Sequence, residues 1–214
     1  MDIVPRTANY IKKELQGEGT GHDWWHVERV WKSAKTIARS ENANLLVVEL
    51  GALLHDIADH KFHNGDDTIG PKMARQWLEQ NGQPRDIIEA VEHIVEHVSF
   101  KGAGVENPMQ SLEGKIVQDA DRLDAMGAIG IARTFAYGGS KNREIYNPNI
   151  KPELHQTFDA YKKSTAPTIN HFYEKLLLLK DGMYTQTGKK MAEERHRFME
   201  EYLQRFYGEW EGEW

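Results

Sequence analysis

The sequence predicts an all-α fold, and three observations carry that expectation. Apolar residues recur at helical spacing through most of the chain, alternating runs of β-branched residues are scarce, and Pro and Gly stand where helices begin and stop. At 214 residues the chain is long enough to bury one sizeable core. The expected architecture is a single-domain helical bundle over 1–214, with its core region at about 20–137 and a C-terminal helical extension at about 150–208.

A first helix is expected over about Val4 to Leu15, ending in the loop GEGTG. Asp23 in GHDWWH is placed to cap a second helix that runs to about Ser40, with His26 in its first turns. The third helix carries LLVVELGALLHDIAD, and the stretch HKFHNGDDTIG after it holds too much Gly, Asp and Asn to stay helical. Pro71 and Pro84 each stand at a first helical position, opening PKMARQWLEQNG, which stops at Gly82, and PRDIIEAVEHIVEHVSF. The stretch SLEGKIVQDADRLDAMGAIGIARTFAYGG becomes helical in its later part, with small residues on parts of its surface that let a backbone or a ligand come close. SKNREIYNPNIKPELH reads as a long loop, and two charged amphipathic helices, about Glu153 to Leu179 and Tyr184 to Tyr207, precede a frayed GEWEGEW tail.

Composition narrows the function classes. Hydrophobic residues make up 39% and charged residues 28%, as in an ordinary soluble protein, and a net charge of −6 offers no general attraction for nucleic acid or an anionic membrane. Any phosphate binding must then be local. The absence of cysteine excludes disulfides and thiolate metal sites and permits a cytosolic home. MDIVPRTANYIKKELQG lacks the layout of a signal peptide, and no apolar stretch approaches the roughly 20 residues that span a bilayer. The expectation is a cytoplasmic protein with neither nucleic acid nor membrane as partner.

One apolar run, LGALLHDIADHKFH, is interrupted by His55 and Asp56 side by side. A carboxylate facing a core is costly by several kcal/mol unless it is paired or bound to a metal. Four groups could meet at one ion: His26 from the second helix, His55 and Asp56 from the third, and an Asp from QDADRLD. Two imidazoles and two carboxylates suit Mn²⁺, Fe²⁺, Co²⁺, Ni²⁺ or Mg²⁺, with remaining positions open to water or a substrate oxygen. Such a site is suited to hydrolysis. EHIVEH places His93 and His97 four apart on one helical face.

HVERV, LLHDIAD and DADRLDA, in that order, resemble the HD superfamily of metal-dependent phosphohydrolases, an all-α helical fold whose ligands run His, then His-Asp, then a later Asp. GAIGIARTFAYGG and HFYEKLLLL are similar to its YpgQ/YedJ-type subgroup across most of the chain. The resemblance implies His26, His55, Asp56 and Asp121 as metal ligands. Asp119 competes for the last place, but residues two apart on a helix point to nearly opposite sides, so one of the two is expected to bind. Asp124, one turn on, could hold a ligand or a water.

Asp59, three residues after Asp56, matches an acidic residue of related hydrolases and is the candidate for orienting or deprotonating the attacking water. Lys61 would reach a phosphate oxygen, with Arg133 or Arg122 offering further charge-assisted bonds. Binuclear members of the superfamily bring extra His ligands in this region, so His93 and His97 could hold a second ion, but the subgroup resemblance points to one metal, with His97 as a substrate contact or proton donor to the leaving group. His22 could contact substrate or cap a turn. The Trp and Tyr residues are expected to pack rather than to stack on a nucleobase, with Tyr137, near two glycines, the one aromatic to inspect for a ligand. The resemblance suggests a nucleotide substrate, nucleoside triphosphate cleaved to monophosphate and pyrophosphate, with Mn²⁺ as the first choice of ion. A nucleoside monophosphate phosphatase, another phosphoester hydrolase and a non-catalytic nucleotide-binding signalling module are the alternatives, and a homodimer is left open.

Overall fold

The computed structural model describes residues 2–16, 23–57, 68–98, 108–153 and 165–213. Among the described residues there are helices and turns and no strand, as the helical periodicity predicts. Contacts group the chain into two compact units, Met1–Asp121 and Arg122–Trp214.

The first unit holds α1 (Ile3–Glu14), α2 (Trp24–Glu41), α3 (Leu45–Leu54), α4 (Ile69–Gln80), α5 (Arg85–His97) and most of α6 (Leu112–Asp124). Its starts are capped by short acceptors. Asp2 takes the Val4 N–H, Asp23 the His26 N–H, and Asn44 those of Leu46 and Val47. Asn42 ends α2 in the left-handed conformation at φ 54°. α3 is buried nearly all round and packs against α1, α2 and α5, which its almost unbroken apolar sequence requires. At its centre a Cβ on Gly51 would stand 3.1 Å from two Ile94 carbons and 3.5 Å from Val117, so a missing side chain lets α5 and α6 approach. α4 and α5 are joined by a forked pair in which Arg75 donates from Nε to Glu92 Oε1 at 2.9 Å and from Nη2 to Oε2. α1 meets α4 through Tyr10 stacked on Trp77 at 4.0 Å and the Trp77 indole N–H donated to Thr7 Oγ1.

Several boundaries differ from the sequence reading. α4 begins at Ile69, so Pro71 is its third residue, where the N–H that proline lacks would have had no helical partner. Pro84 is the cap of α5 rather than its first residue. α3 ends at Leu54, short of the expected run through Asp59, and His55 to Ile57 form a turn. His55 supplies a reason: its ring nitrogen bonds the Ala52 carbonyl at 2.7 Å and competes for the acceptor that the Asp56 N–H would use if the helix continued.

The second unit holds α7 (Gly127–Ser140), α8 (Asn170–Glu174), a 3-10 helix (Leu176–Gly182) and α9 (Gln186–Trp210). The expected single helix within SLEGKIVQDADRLDAMGAIGIARTFAYGG is two, α6 and α7. The chain breaks at Ala125 and Met126 and restarts at Gly127 with φ +68°, a conformation that favours glycine. Residues 141–153 are the expected loop. The helix expected over Glu153 to Leu179 is not continuous: residues 165–167 are non-helical, and α8 and the 3-10 helix follow Pro167, whose ring disfavours helix at the residue before it. Thr168 and Ile169 donate their N–H groups to the Glu144 and Ile145 carbonyls at 2.8 and 3.0 Å. Phe172 is fully buried, 6.1 Å from Phe135 and 5.9 Å from Tyr202. α9 packs against α7 and the 3-10 helix.

Two outcomes test this packing. A Cβ on Gly130 would lie 2.2 Å from the Ala125 carbonyl oxygen, whereas one on Gly139 meets nothing within 4 Å. Gly130→Ala is expected to destabilise by about 2 kcal/mol or more through backbone displacement, and Gly139→Ala to be neutral or stabilising by up to about 1 kcal/mol, both read by chemical denaturation. Burial, reinforced by the charges of Lys175 and Arg143, pushes the His171 imidazole down from 6.5 to about 3. The unfolded chain then binds this proton more readily than the folded one. The stability tied to His171 is complete above pH 6.5 and is lost as pH falls towards 3. Thermal melts from pH 7 to pH 4.5 are expected to fall less steeply for His171→Gln than for the wild type.

Candidate metal centre

His26 is the third residue of α2, and its backbone N–H is held by Asp23 Oδ1 at 2.9 Å. His55 and Asp56 follow α3 directly. These elements bring three side chains to one point. His26 Nε2 stands 3.3 Å from His55 Nε2 and 3.4 Å from Asp56 Oδ2, and His55 Nε2 stands 3.5 Å from the same oxygen. The three are the near-equilateral donor set that the apolar run broken at His55 requires.

The hydrogen bond from His55 to Ala52 defines what this ring can do. A carbonyl only accepts, so His55 Nδ1 must donate, and in the neutral imidazole Nε2 then carries the lone pair. That nitrogen faces His26 Nε2 and Asp56 Oδ2, and with His26 Nε2 also unprotonated the three lone pairs would converge on one point suited to a cation. Adjacent donors around an ion held at about 2.1 Å stand about 3.0 Å apart at octahedral angles and about 3.4 Å apart at tetrahedral ones. The spacings of 3.3, 3.4 and 3.5 Å lie at the top of this range or just above it, close enough for all three donors to reach one ion. The residues present therefore fit a divalent metal.

Asp121 Oδ1 approaches from α6, 3.5 Å from His26 Nε2, and lies outside the mutual set of three. Asp119 is fully buried elsewhere on the same helix. Exposure is graded across the cluster: the imidazoles are 2% exposed, Asp56 13% and Asp121 34%. The site is dry behind the histidines and wet at the carboxylates, the side from which a water or substrate could enter.

The other expected residues fall in several places. His93 and His97 lie edge to face at 4.5 Å, with Glu96 near, in a second group whose ligand atoms lie within 4.8 Å of one another. His97 Nε2 is 3.5 Å from Glu96, and the His97 carbonyl accepts from Gln118 Nε2 at 2.8 Å. Arg133 is engaged by Asp124, the residue expected near a ligand, at 2.7 Å. Arg122 donates to the Gly182 carbonyl at 2.7 Å and lies over the Tyr184 ring. Tyr137 is exposed, with Lys141 and Arg143 both near its face. His22, Asp59 and Lys61 lie outside the described residues. Sequence reasoning did not find the Ala52 carbonyl, and no sequence signal could have, since any residue there supplies one.

An α-helical protein that converges two imidazoles and the carboxylate after the second of them on one point belongs to a definable class, and the HD domain family matches residues 24–126. The chain is a member of the HD superfamily and a hydrolase of that family of metal-dependent phosphohydrolases. It is 39% identical over 198 residues to YpgQ of Bacillus subtilis (strain 168), covering 91% of this chain and 87% of YpgQ. A crystal structure of an HD-superfamily hydrolase from Bacillus thuringiensis matches with a TM-score of 0.79 and 42% identity, over 98% of this chain and 97% of that one. The crystal structure of B. subtilis YpgQ in complex with ADP matches at 0.76 and 36%, over 96% and 94%. HD membership implies a divalent metal, which agrees with the donor set. Among the described residues no helix is long and apolar enough to cross a membrane.

The wild type is expected to bind a divalent transition ion, with Asp56→Ala and His26→Ala each weakening binding at least about tenfold by calorimetry. Saturation of the wild type to about 100 times its Kd is expected to add about 2.7 kcal/mol of folding stability, a gain that Asp56→Ala loses.

Proposed function

We propose that the protein hydrolyses nucleoside triphosphates between the α and β phosphates, releasing monophosphate and pyrophosphate, with Mn²⁺ as its ion. The observation that carries the reading is the triangle of His26, His55 and Asp56, open on its carboxylate side. His26, His55 and Asp56 would hold the ion, with Asp121 the fourth ligand in preference to Asp119, because Asp121 is the one beside His26. When bound, a divalent ion polarises a phosphoryl oxygen and makes a water more acidic.

The chain's own groups do the rest. Asp59 takes the proton from the attacking water as its oxygen bonds to the α phosphorus and the bond to the bridging oxygen breaks. Lys61 offsets phosphate charge, and His97 donates a proton to the departing pyrophosphate. Arg133 and Arg122 are left out of this scheme, since Asp124, the Gly182 carbonyl and the Tyr184 ring already engage their guanidiniums. The YpgQ complex with ADP supports a nucleotide carrying more than one phosphate, and so favours the triphosphate reading over a monophosphatase. Such a hydrolase would act in the cytoplasm, where its substrates are.

The test is product analysis on a panel of nucleoside mono-, di- and triphosphates with added Mn²⁺. Monophosphate plus pyrophosphate from a triphosphate is expected, falling by at least about a thousandfold in Asp56→Ala. Free phosphate from a monophosphate would instead make the protein a phosphatase, and stoichiometric metal without turnover would move it to another phosphoester or to a signalling role.

A further inference from the structure

The last turn of α6 ends in a cluster that neither the metal centre nor the proposed reaction uses. Asp124 is 4% exposed, and its Oδ2 accepts from Arg133 Nη1 at 2.7 Å, while the same nitrogen reaches the Asp124 carbonyl at 3.3 Å. Arg195, on α9, donates from Nη1 to the Leu123 carbonyl and is attracted by the Asp124 charge. Gly127 stands against the Arg195 stem, where a Cβ would lie 3.2 Å from Arg195 Cβ and 3.1 Å from Cγ. One arginine is thus fitted to a carbonyl, a buried carboxylate and a glycine.

The chemistry of a helix end explains why the cluster exists. The last four carbonyls of α6 have no partner further along the helix, and they form the negative end of its dipole. Ala125 and Met126 close on the Arg122 and Leu123 carbonyls at 3.1 and 3.0 Å, and two guanidiniums add positive charge there. Asp121 lies one turn before Asp124 on the same helix. A last turn left to fray would let the Asp121 carboxylate wander from His26.

We propose that Arg195 and Arg133 are positioning residues: they clamp the last turn of α6 through the Leu123 carbonyl and Asp124, and through the backbone of α6 hold Asp121 beside His26. The inference rests on the reading of Asp121 as a metal ligand.

The test is a cycle on the full chain, with Mn²⁺ alone as the probe in calorimetry and Tm measured alongside. Asp121→Asn is expected to weaken Mn²⁺ binding at least about tenfold, and Arg195→Gln about tenfold, with Arg195→Lys between it and the wild type because one ammonium cannot reproduce the guanidinium fork. In the Asp121→Asn background Arg195→Gln is expected to cost no further affinity, although its loss of Tm persists. A purely structural arginine would instead give equal losses of affinity in both backgrounds, or lower Tm with affinity unchanged, and either result overturns the clamp. If Asp121→Asn itself leaves affinity unchanged, the ligand reading fails and the clamp with it. Arg133→Lys carries the same cycle from the other arm should Arg195→Gln not fold.

Discussion

Two imidazole nitrogens and a carboxylate oxygen within 3.5 Å of one another, mostly out of water, set the terms for the first unit. Holding these polar atoms together with little hydration is costly, and the packing around them keeps them in place. The two histidines are accordingly held from behind. Asp23 ties the backbone of His26 at the start of α2, and the Ala52 carbonyl orients the His55 ring at the end of α3. α3, lacking a side chain at Gly51, sits close enough to α5 and α6 that it cannot shift without displacing Ile94 or Val117. A cation converts the same crowding from repulsion into coordination.

Arginine is used in this protein as a structural fastener. Arg75 grips Glu92 between α4 and α5, Arg133 grips Asp124, and Arg122 and Arg195 each end on a backbone carbonyl. The guanidinium suits such work because it stays charged when partly buried and presents several donors in one plane. With a net charge of −6 and these arginines already engaged, positive potential for an anionic substrate must come from a few local groups and from the ion.

How much could be read from the sequence depended on whether the signal was local. Asp23 before an apolar-periodic stretch announces a helix start, and a His-Asp step inside LGALLHDIAD announces a buried polar group in need of company, so the meeting of His26, His55 and Asp56 was legible. Helical period implies that Asp119 and Asp121 face different ways, and it is the family resemblance that points to Asp121; Asp119 is buried and Asp121 lies beside His26. The break between α6 and α7 was not legible, because DAMGAIG reads as a run of small helix-compatible residues and only the backbone reveals Gly127 as left-handed. Nor was the engagement of Arg133 by Asp124, which arises from the turn that this break creates. Pro167 is visible in the sequence, but a charged amphipathic pattern runs across it and hides the break that the described residues show at 165–167.

The donor triangle is drawn from α2 and the turn that closes α3, neighbours in the chain, while Asp121 arrives from α6. Only residues 42–44 separate α2 from α3, so bringing these two helices together needs little loop-closure entropy. During translation the imidazoles and Asp56 leave the ribosome long before Asp121. An ion captured at that stage would be held by three ligands on a helical hairpin, and the later helices would then fold around a site already loaded.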